Sequence, residues 1–126
     1  MADFIYDKKK NTLTGHGESW SVRSGIPGKY SPTPAGLYTI PKGALMAGST
    51  GHGVPHNAKY ALPPYSYRDN KGFAWFLWIG VGNLGIHPDG NIPGTKGCIG
   101  ITKSDTKALF NKFKSLNTKA ITLLVK

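Results

Sequence analysis

Apolar and polar residues alternate with a period of two through much of this chain, the spacing that puts successive side chains on opposite faces of a strand. "DFIYD" at residues 3–7 and "TLTG" at residues 12–15 alternate on either side of a lysine-rich turn, which predicts a first hairpin. "SWSVRSG" then places Trp20 and Val22 on one face of a further strand. "GIPGKYSPTPAG" is turn chemistry, because proline fixes φ and glycine supplies positive φ. "LYTI" resumes a strand that Pro41 ends. From "KGALMAGSTGHGVPHN" to "ALPPYSYRDNKG" the sequence is irregular, with room for a short strand at "AKYAL" between. A long loop-rich middle of this kind is the usual place for a substrate-binding surface.

"FAWFLWIGVG", residues 73–82, is apolar at nearly every position and rich in aromatics, which predicts a central strand buried on both faces. After Ile101 the period changes. Thr102 and Asp105 make a T-x-x-D capping box, and Leu109, Phe113 and Leu116 follow at helical spacing, so a short amphipathic helix is expected there. "AITLLV" returns to strand. With no repeat, linker or low-complexity segment, the expectation is a mostly β chain forming one compact domain over residues 1–126, with one short C-terminal helix.

A length of 126 residues suits one core rather than two, and 17 glycines with 9 prolines agree with short strands and many turns. Sixteen basic against six acidic residues give a net charge of +10, so anionic partners should be attracted and salt should weaken the attraction. The lysines are spread along the chain and no helix-turn-helix, zinc-finger or ribonucleoprotein signature accompanies them, so nucleic acid is not the expected partner. No stretch approaches the roughly 20 apolar residues that span a bilayer, so no membrane insertion is expected. "MADFIYDKKK" lacks the basic start and apolar run of a signal peptide. Synthesis in the cytoplasm without a signal peptide is therefore expected, with any export by another route.

The candidate chemistry is concentrated in "GIHPDGNIPGTKGCIGI", residues 85–101. Cys98 is the only cysteine, so it has no internal disulfide partner. A free thiol with a reference pKa of about 8.5 is mostly protonated at neutral pH and needs a nearby base to act as a nucleophile. His87, at the end of the predicted buried strand, can be held rigidly. The loop to Cys98 is long enough to bring both residues onto adjacent strands. Glycines near Cys98 on both sides, with Lys96 beside them, suit an exposed, electropositive thiol. The plainer alternative is a small buried hydrophobe beside a scaffold histidine.

Asp89 is a candidate for fixing the imidazole tautomer, although "HPDGN" also reads as an ordinary turn. Tyr30, Tyr38, Tyr65, Tyr67 and Arg68 could line a groove for a peptide carrying carboxylates, while tyrosines at strand spacing also read as half-buried strand residues. Trp75 and Trp78 are expected in the core. His52 and His56 have an i, i+4 spacing, but the glycine and proline between them prevent a helix and leave a solvated loop. His87, Asp89 and Cys98 are allowed zinc ligands, yet no second ligand cluster or H-E-x-x-H helix supports a zinc hydrolase. A wall- or polyanion-binding module without catalysis is the main rival, and it would leave Cys98 unused.

The segment "GIHPDGN…GTKGCIGI" resembles the signature of L,D-transpeptidase (YkuD-type) catalytic domains, in which a histidine precedes an S/T-H-G-C motif by a short loop. "SPTPAGLYTIP" is similar to the TP-x-G-x-Y/F-x-I strand of the same family. With the starting hairpin and the closing helix and strand, the resemblance covers most of the chain and implies a β-sandwich or barrel. It is nearest to small L,D-transpeptidase-like toxins without signal peptides, delivered by type VI secretion, which also begin on an F/W-x-Y strand.

The resemblance implies that Cys98 is the nucleophile, that His87 is the general base, and that the Gly97 and Cys98 backbone N–H groups serve the oxyanion. A backbone carbonyl often orients the histidine in this family. Two positions depart from the pattern: Lys96 stands where the family has a histidine, and Gly100 where it often has an asparagine. Peptidoglycan stem peptides are the implied substrate, no metal or organic cofactor is called for, and a toxin would imply an immunity protein in the producer. With that resemblance, the missing export signal favours an antibacterial toxin acting in the periplasm or wall of a target bacterium, or a phage lysis enzyme, over a housekeeping wall enzyme of the same cell.

Overall fold

The computed structural model describes residues 2–41, 45–48, 74–79, 84–88, 97–102, 106–116 and 119–126. The alternating segments form strands where the period predicts them. Strands β1 (Phe4–Asp7) and β2 (Thr12–Gly15) make the expected hairpin, and β3 (Glu18–Ser24) follows with Trp20 and Val22 turned inward. Strand β4 (Gly36–Pro41) carries "LYTI", and β9 (Ala120–Val125) carries the closing apolar alternation. Between them come β5 (Leu45–Gly48), β6 (Ala74–Trp78), β7 (Gly85–Pro88), β8 (Ile99–Ile101) and one helix, α1 (Lys107–Ser115).

The strands share one sheet in the order β4-β9-β1-β2-β3-β8-β7-β6-β5. Strand β3 joins its two halves. Its first residues pair with β2, from Glu18 opposite Gly15 to Ser21 opposite Thr12, and its last pair with β8, from Val22 opposite Ile101 to Ser24 opposite Ile99. One strand that serves two partners in succession is the usual way a sheet turns a corner. The residues packed together come from both halves: Phe4, Tyr6, Leu13 and Ile121 from one, Trp75, Leu77, Ile86 and Ile99 from the other. Leu109, Phe110 and Phe113 of α1 join the same core, and Phe113 meets the edges of the Phe4 and Trp75 rings at 4.8 and 5.8 Å.

The fold is mostly β with one short helix, as the periodicity implied, but two local expectations change. Residues 45–48 form a strand where an irregular stretch was expected. Their composition is weak for a strand, and pairing with the strongly apolar β6 supplies what propensity lacks. Thr102 is not the N-cap that the T-x-x-D box implied for the helix, and Asp105 lies outside the described residues. Thr102 still belongs to the sheet, where its N–H and hydroxyl both donate to the Ser21 carbonyl, at 3.1 and 3.0 Å. The helix instead follows Thr106, whose side chain makes no cap bond. Its hydroxyl oxygen accepts the buried Trp75 indole N–H at 2.8 Å, so satisfying a buried donor takes precedence over capping. The segments "AKYAL", His52 and His56, and Tyr65 and Tyr67 lie outside the described residues.

Candidate active site

The pleat of β6, β7 and β8 sorts their side chains. Trp75, Leu77, Ile79, Ile86, Ile99 and Ile101 point into the core, and Phe76, Trp78, His87 and Cys98 alternate with them onto the opposite face. Trp78 is buried as expected, on this second face, its ring 4.2 Å from that of Phe76. Strands β7 and β8 run parallel, with Ile86 opposite Ile99 and His87 opposite Gly100. One step back along both strands sets Cys98 beside Gly85, whose backbone is hydrogen-bonded to the cysteine side chain. Residues far apart in the loop thus become diagonal neighbours on one face. Gly100 presents no side chain opposite His87.

The imidazole is held on two sides. Its plane stacks on the Phe76 ring, 5.4 Å between centroids and 12° from parallel. That ring lies so close over β7 that a Cβ on Gly85 would come within 2.1 Å of it, so only glycine at position 85 leaves room for the Phe76–His87 stack. The second hold is a 2.6 Å hydrogen bond between Nδ1 and the Pro88 carbonyl. A carbonyl can only accept, so Nδ1 carries the proton and Nε2 carries the lone pair. Asp89, the side chain expected to fix the tautomer, lies outside the described residues, and the neighbouring Pro88 carbonyl supplies such a lock.

Burial governs the protonation of both groups. It lowers the His87 pKa from 6.5 to about 4, against a smaller opposing effect of the Pro88 hydrogen bond. It raises the pKa of the Cys98 thiol, which the Gly85 backbone hydrogen bond only partly offsets. The resting state is accordingly a neutral thiol and a neutral imidazole. The exposed thiol suggested by the flanking glycines is not found: Cys98 is 8% exposed, because its place at the head of β8 sets it inside the sheet rather than on a loop tip. A neutral imidazole suits general-base removal of a thiol proton during attack better than a standing thiolate–imidazolium pair.

Gly97 precedes the thiol with a φ of +123°, a conformation that side-chain-bearing residues rarely adopt, and a Cβ there would lie 2.9 Å from Leu84 Cδ2. Its carbonyl accepts hydrogen bonds from the Ser24 hydroxyl at 3.0 Å and the Thr33 hydroxyl at 2.5 Å. Ser24, Thr33 and the Pro88 carbonyl were not singled out by the sequence reading. Thr33 stands inside the quoted "SPTPAG", so the motif was visible, but the burial of its hydroxyl was not.

Tyr30 lies in the loop that carries the chain from Ser24 back to Thr33. It bridges to Ile26 and has the Lys29 ammonium 5.6 Å above its ring. Tyr38 sits on β4, at the other end of the strand order from β7, where its hydroxyl donates to the Pro34 carbonyl at 2.6 Å and its ring packs on the core. Arg68 and Lys96 lie outside the described residues. The structure brings together Cys98, His87 and Gly97, and leaves Tyr38 apart in the strand order.

Comparison with known proteins bears on the same residues. The YkuD family, described as the L,D-transpeptidase catalytic domain, matches residues 3–121. No curated protein sequence matches the chain. Among solved structures, L,D-transpeptidase 1 of Mycobacterium tuberculosis is similar with a TM-score of 0.57 at 14% identity, over 97% of this chain and 60% of that one. A further L,D-transpeptidase from M. tuberculosis H37Rv gives 0.59 at 14% identity, over 98% and 56%. The catalytic domain of the Enterococcus faecium L,D-transpeptidase gives 0.54 at 22% identity, over 100% and 97%. The chain thus spans nearly all of the isolated enterococcal catalytic domain but only 56–60% of these two mycobacterial chains. At these identities the likeness is one of fold.

Proposed function

The chain belongs to the YkuD family of L,D-transpeptidase catalytic domains, and on that premise we propose that it is a peptidoglycan-active cysteine enzyme with Cys98 as nucleophile and His87 as general base. One observation carries this reading: the parallel β7–β8 register sets both residues on one face, with the Pro88 carbonyl leaving Nε2 as the basic nitrogen. In the proposed reaction His87 Nε2 takes the thiol proton as Sγ attacks the carbonyl of the third residue of a tetrapeptide stem. The tetrahedral intermediate then collapses, the peptide C–N bond breaks, and Nε2–H returns the proton to the departing D-alanine amine. The thioester left on Cys98 is resolved by water, which makes the enzyme an L,D-carboxypeptidase, or by an amine, which makes it a transpeptidase or an exchanger of D-amino acids.

The oxyanion would be met by the Gly97 and Cys98 backbone N–H groups. Tyr30, Arg68 and Lys96 are proposed substrate contacts, Tyr38 is the more remote candidate, and Asp89 is a candidate catalytic partner of His87 by its place in the sequence. A net charge of +10 favours accumulation on anionic envelope polymers. The finer setting we propose is an antibacterial effector that acts in the wall of a target bacterium and is matched by an immunity protein in its producer. It rests on the net charge of +10 and on the family's reaction at the bacterial wall. Toxicity on periplasmic but not cytoplasmic expression is the result expected of it.

The enzymatic reading is tested by mass spectrometry of tetrapeptide and crosslinked muropeptides incubated with the wild type and with Cys98→Ala. Loss or exchange of the terminal D-alanine with the wild type alone is expected, and the product identifies the acceptor. Binding to the wall with every muropeptide unchanged by both proteins would instead make the chain a binding module with a buried packing cysteine.

A further inference from the structure

Among the described residues three polar side chains are buried: Thr106, His87 and Thr33. Thr106 accepts the Trp75 indole, and His87 belongs to the proposed catalytic pair. Thr33 has no such assignment, and a fully buried hydroxyl calls for a reason. Its neighbourhood is a closed set of hydrogen bonds. The Thr33 N–H donates to Ser24 Oγ at 2.8 Å, the two side-chain oxygens lie 3.1 Å apart, and both hydroxyls converge on the Gly97 carbonyl. The Tyr6 hydroxyl is hydrogen-bonded to Ser24 as well, which ties the set to a core residue of β1.

The covalent structure shows what this set controls. In a trans peptide the carbonyl of one residue and the N–H of the next point in opposite directions in one rigid plane. No cis bond occurs among the described residues, so two hydroxyls holding the Gly97 carbonyl also aim the Cys98 N–H away from themselves and fix the backbone from which the thiol projects. Hydrogen bonds accepted by an amide carbonyl also polarise the amide and strengthen its N–H as a donor. Gly97, with φ at +123°, lacks the side chain that would otherwise restrict this peptide, so the hydroxyls supply a restraint that the backbone does not. Ser24 can take this place because it ends β3 opposite Ile99, and the loop through Gly25 and Tyr30 returns Thr33 to its side.

We infer that Ser24 and Thr33 are positioning residues that clamp the Gly97–Cys98 peptide in the orientation needed for acylation of Cys98. The inference rests on Cys98 being the nucleophile, as proposed above. The clamp acts on the step in which the thiol sulfur adds to a carbonyl carbon and negative charge develops on its oxygen. It has little to do with displacement at a saturated carbon, where no oxyanion forms.

Two reagents separate these steps. p-Nitrophenyl acetate transfers its acetyl group to Cys98 and releases p-nitrophenolate, whereas iodoacetamide alkylates the same sulfur and releases iodide. Both rates are to be read as the mass of the Cys98 adduct in wild type, Thr33→Val, Thr33→Ser and Ser24→Ala. Valine keeps the shape of threonine without the hydroxyl, and serine keeps the hydroxyl without the methyl group. Acylation should fall by about 10- to 100-fold in Thr33→Val, below the 10²–10³ cost of removing an oxyanion donor outright. Alkylation should change by less than about 3-fold, and Thr33→Ser should retain most of the acylation. Equal acylation by wild type and Thr33→Val would overturn the clamp while leaving Cys98 as nucleophile. Slowing of both reagents alike, or failure of Thr33→Ser to preserve acylation, would reduce Thr33 to a packing role and overturn it too. A wild type that is alkylated but never acylated would overturn the nucleophile reading, and the clamp with it.

Discussion

The two faces of β6, β7 and β8 are built on the same backbone and are both buried, yet they differ in kind. On the inner face, Leu77, Ile86 and Ile99 join the core from successive strands, and any of them could be exchanged for a similar apolar side chain at modest cost. On the other face the same strands carry Phe76, His87 and Cys98 in a fixed relation, with glycine at 85, where a side chain would clash with the Phe76 ring, and Gly100 opposite His87. Burial on the first face supplies stability by removing apolar area from water. On the second it acts on protonation, holding the imidazole neutral and the thiol protonated. The difference teaches that burial by itself does not mark a residue as structural.

Substitutions on the two faces should therefore part activity from stability. On the proposed mechanism the largest effect is expected for His87→Ala, which should lower kcat on muropeptides, counted per folded molecule, by about 10³-fold, the usual contribution of a general base. Ile99→Ala, one residue from Cys98 but on the inner face, should cost about 2–5 kcal/mol in chemical denaturation and leave turnover per folded molecule unchanged. Should Ile99→Ala abolish turnover in protein that remains folded, the division between the faces would fail.

The third effect is a pH dependence. His87 has a pKa of about 4 in the folded state against 6.5 when exposed, so between these values the unfolded chain binds a proton that the folded chain does not. Its contribution to stability is fully present above pH 6.5, falls as pH is lowered toward 4, and levels off below. The total is about 3 kcal/mol. Denaturation at a series of pH values should show that loss in the wild type and a smaller one in His87→Gln. Identical profiles for the two proteins would mean that the imidazole is not held neutral by its surroundings.

Much of the sheet and part of the site could be read from the sequence. Alternation located β1, β2, β3, β4 and β9, because each has one face to bury. It could not locate β5, whose pairing with β6 depends on a neighbour rather than on its own residues. The helix was visible from Leu109, Phe113 and Leu116, while its start was misjudged because the T-x-x-D pattern makes Thr102 look like a cap until its bonds to the Ser21 carbonyl are known. Cys98 and His87 stood out as the single thiol and a histidine at a strand end. The Pro88 carbonyl, the Phe76 stack and the Ser24–Thr33 pair did not: the first depends on how the backbone turns beside His87, and the other two act through contacts between residues distant in sequence.

The sequence by itself determined the periodicity, and therefore the mostly β fold, the sides on which Ile99 and Cys98 lie, and the residue types available for chemistry. Those follow from the fixed alternation of a strand and from the chemistry of individual side chains. Only the tertiary structure decided that β7 and β8 lie parallel in a register that unites His87 with Cys98, which tautomer the imidazole adopts, and how deeply both groups are buried. Register, hydrogen-bond partner and solvent exclusion are relations between segments, and local pattern alone does not encode them.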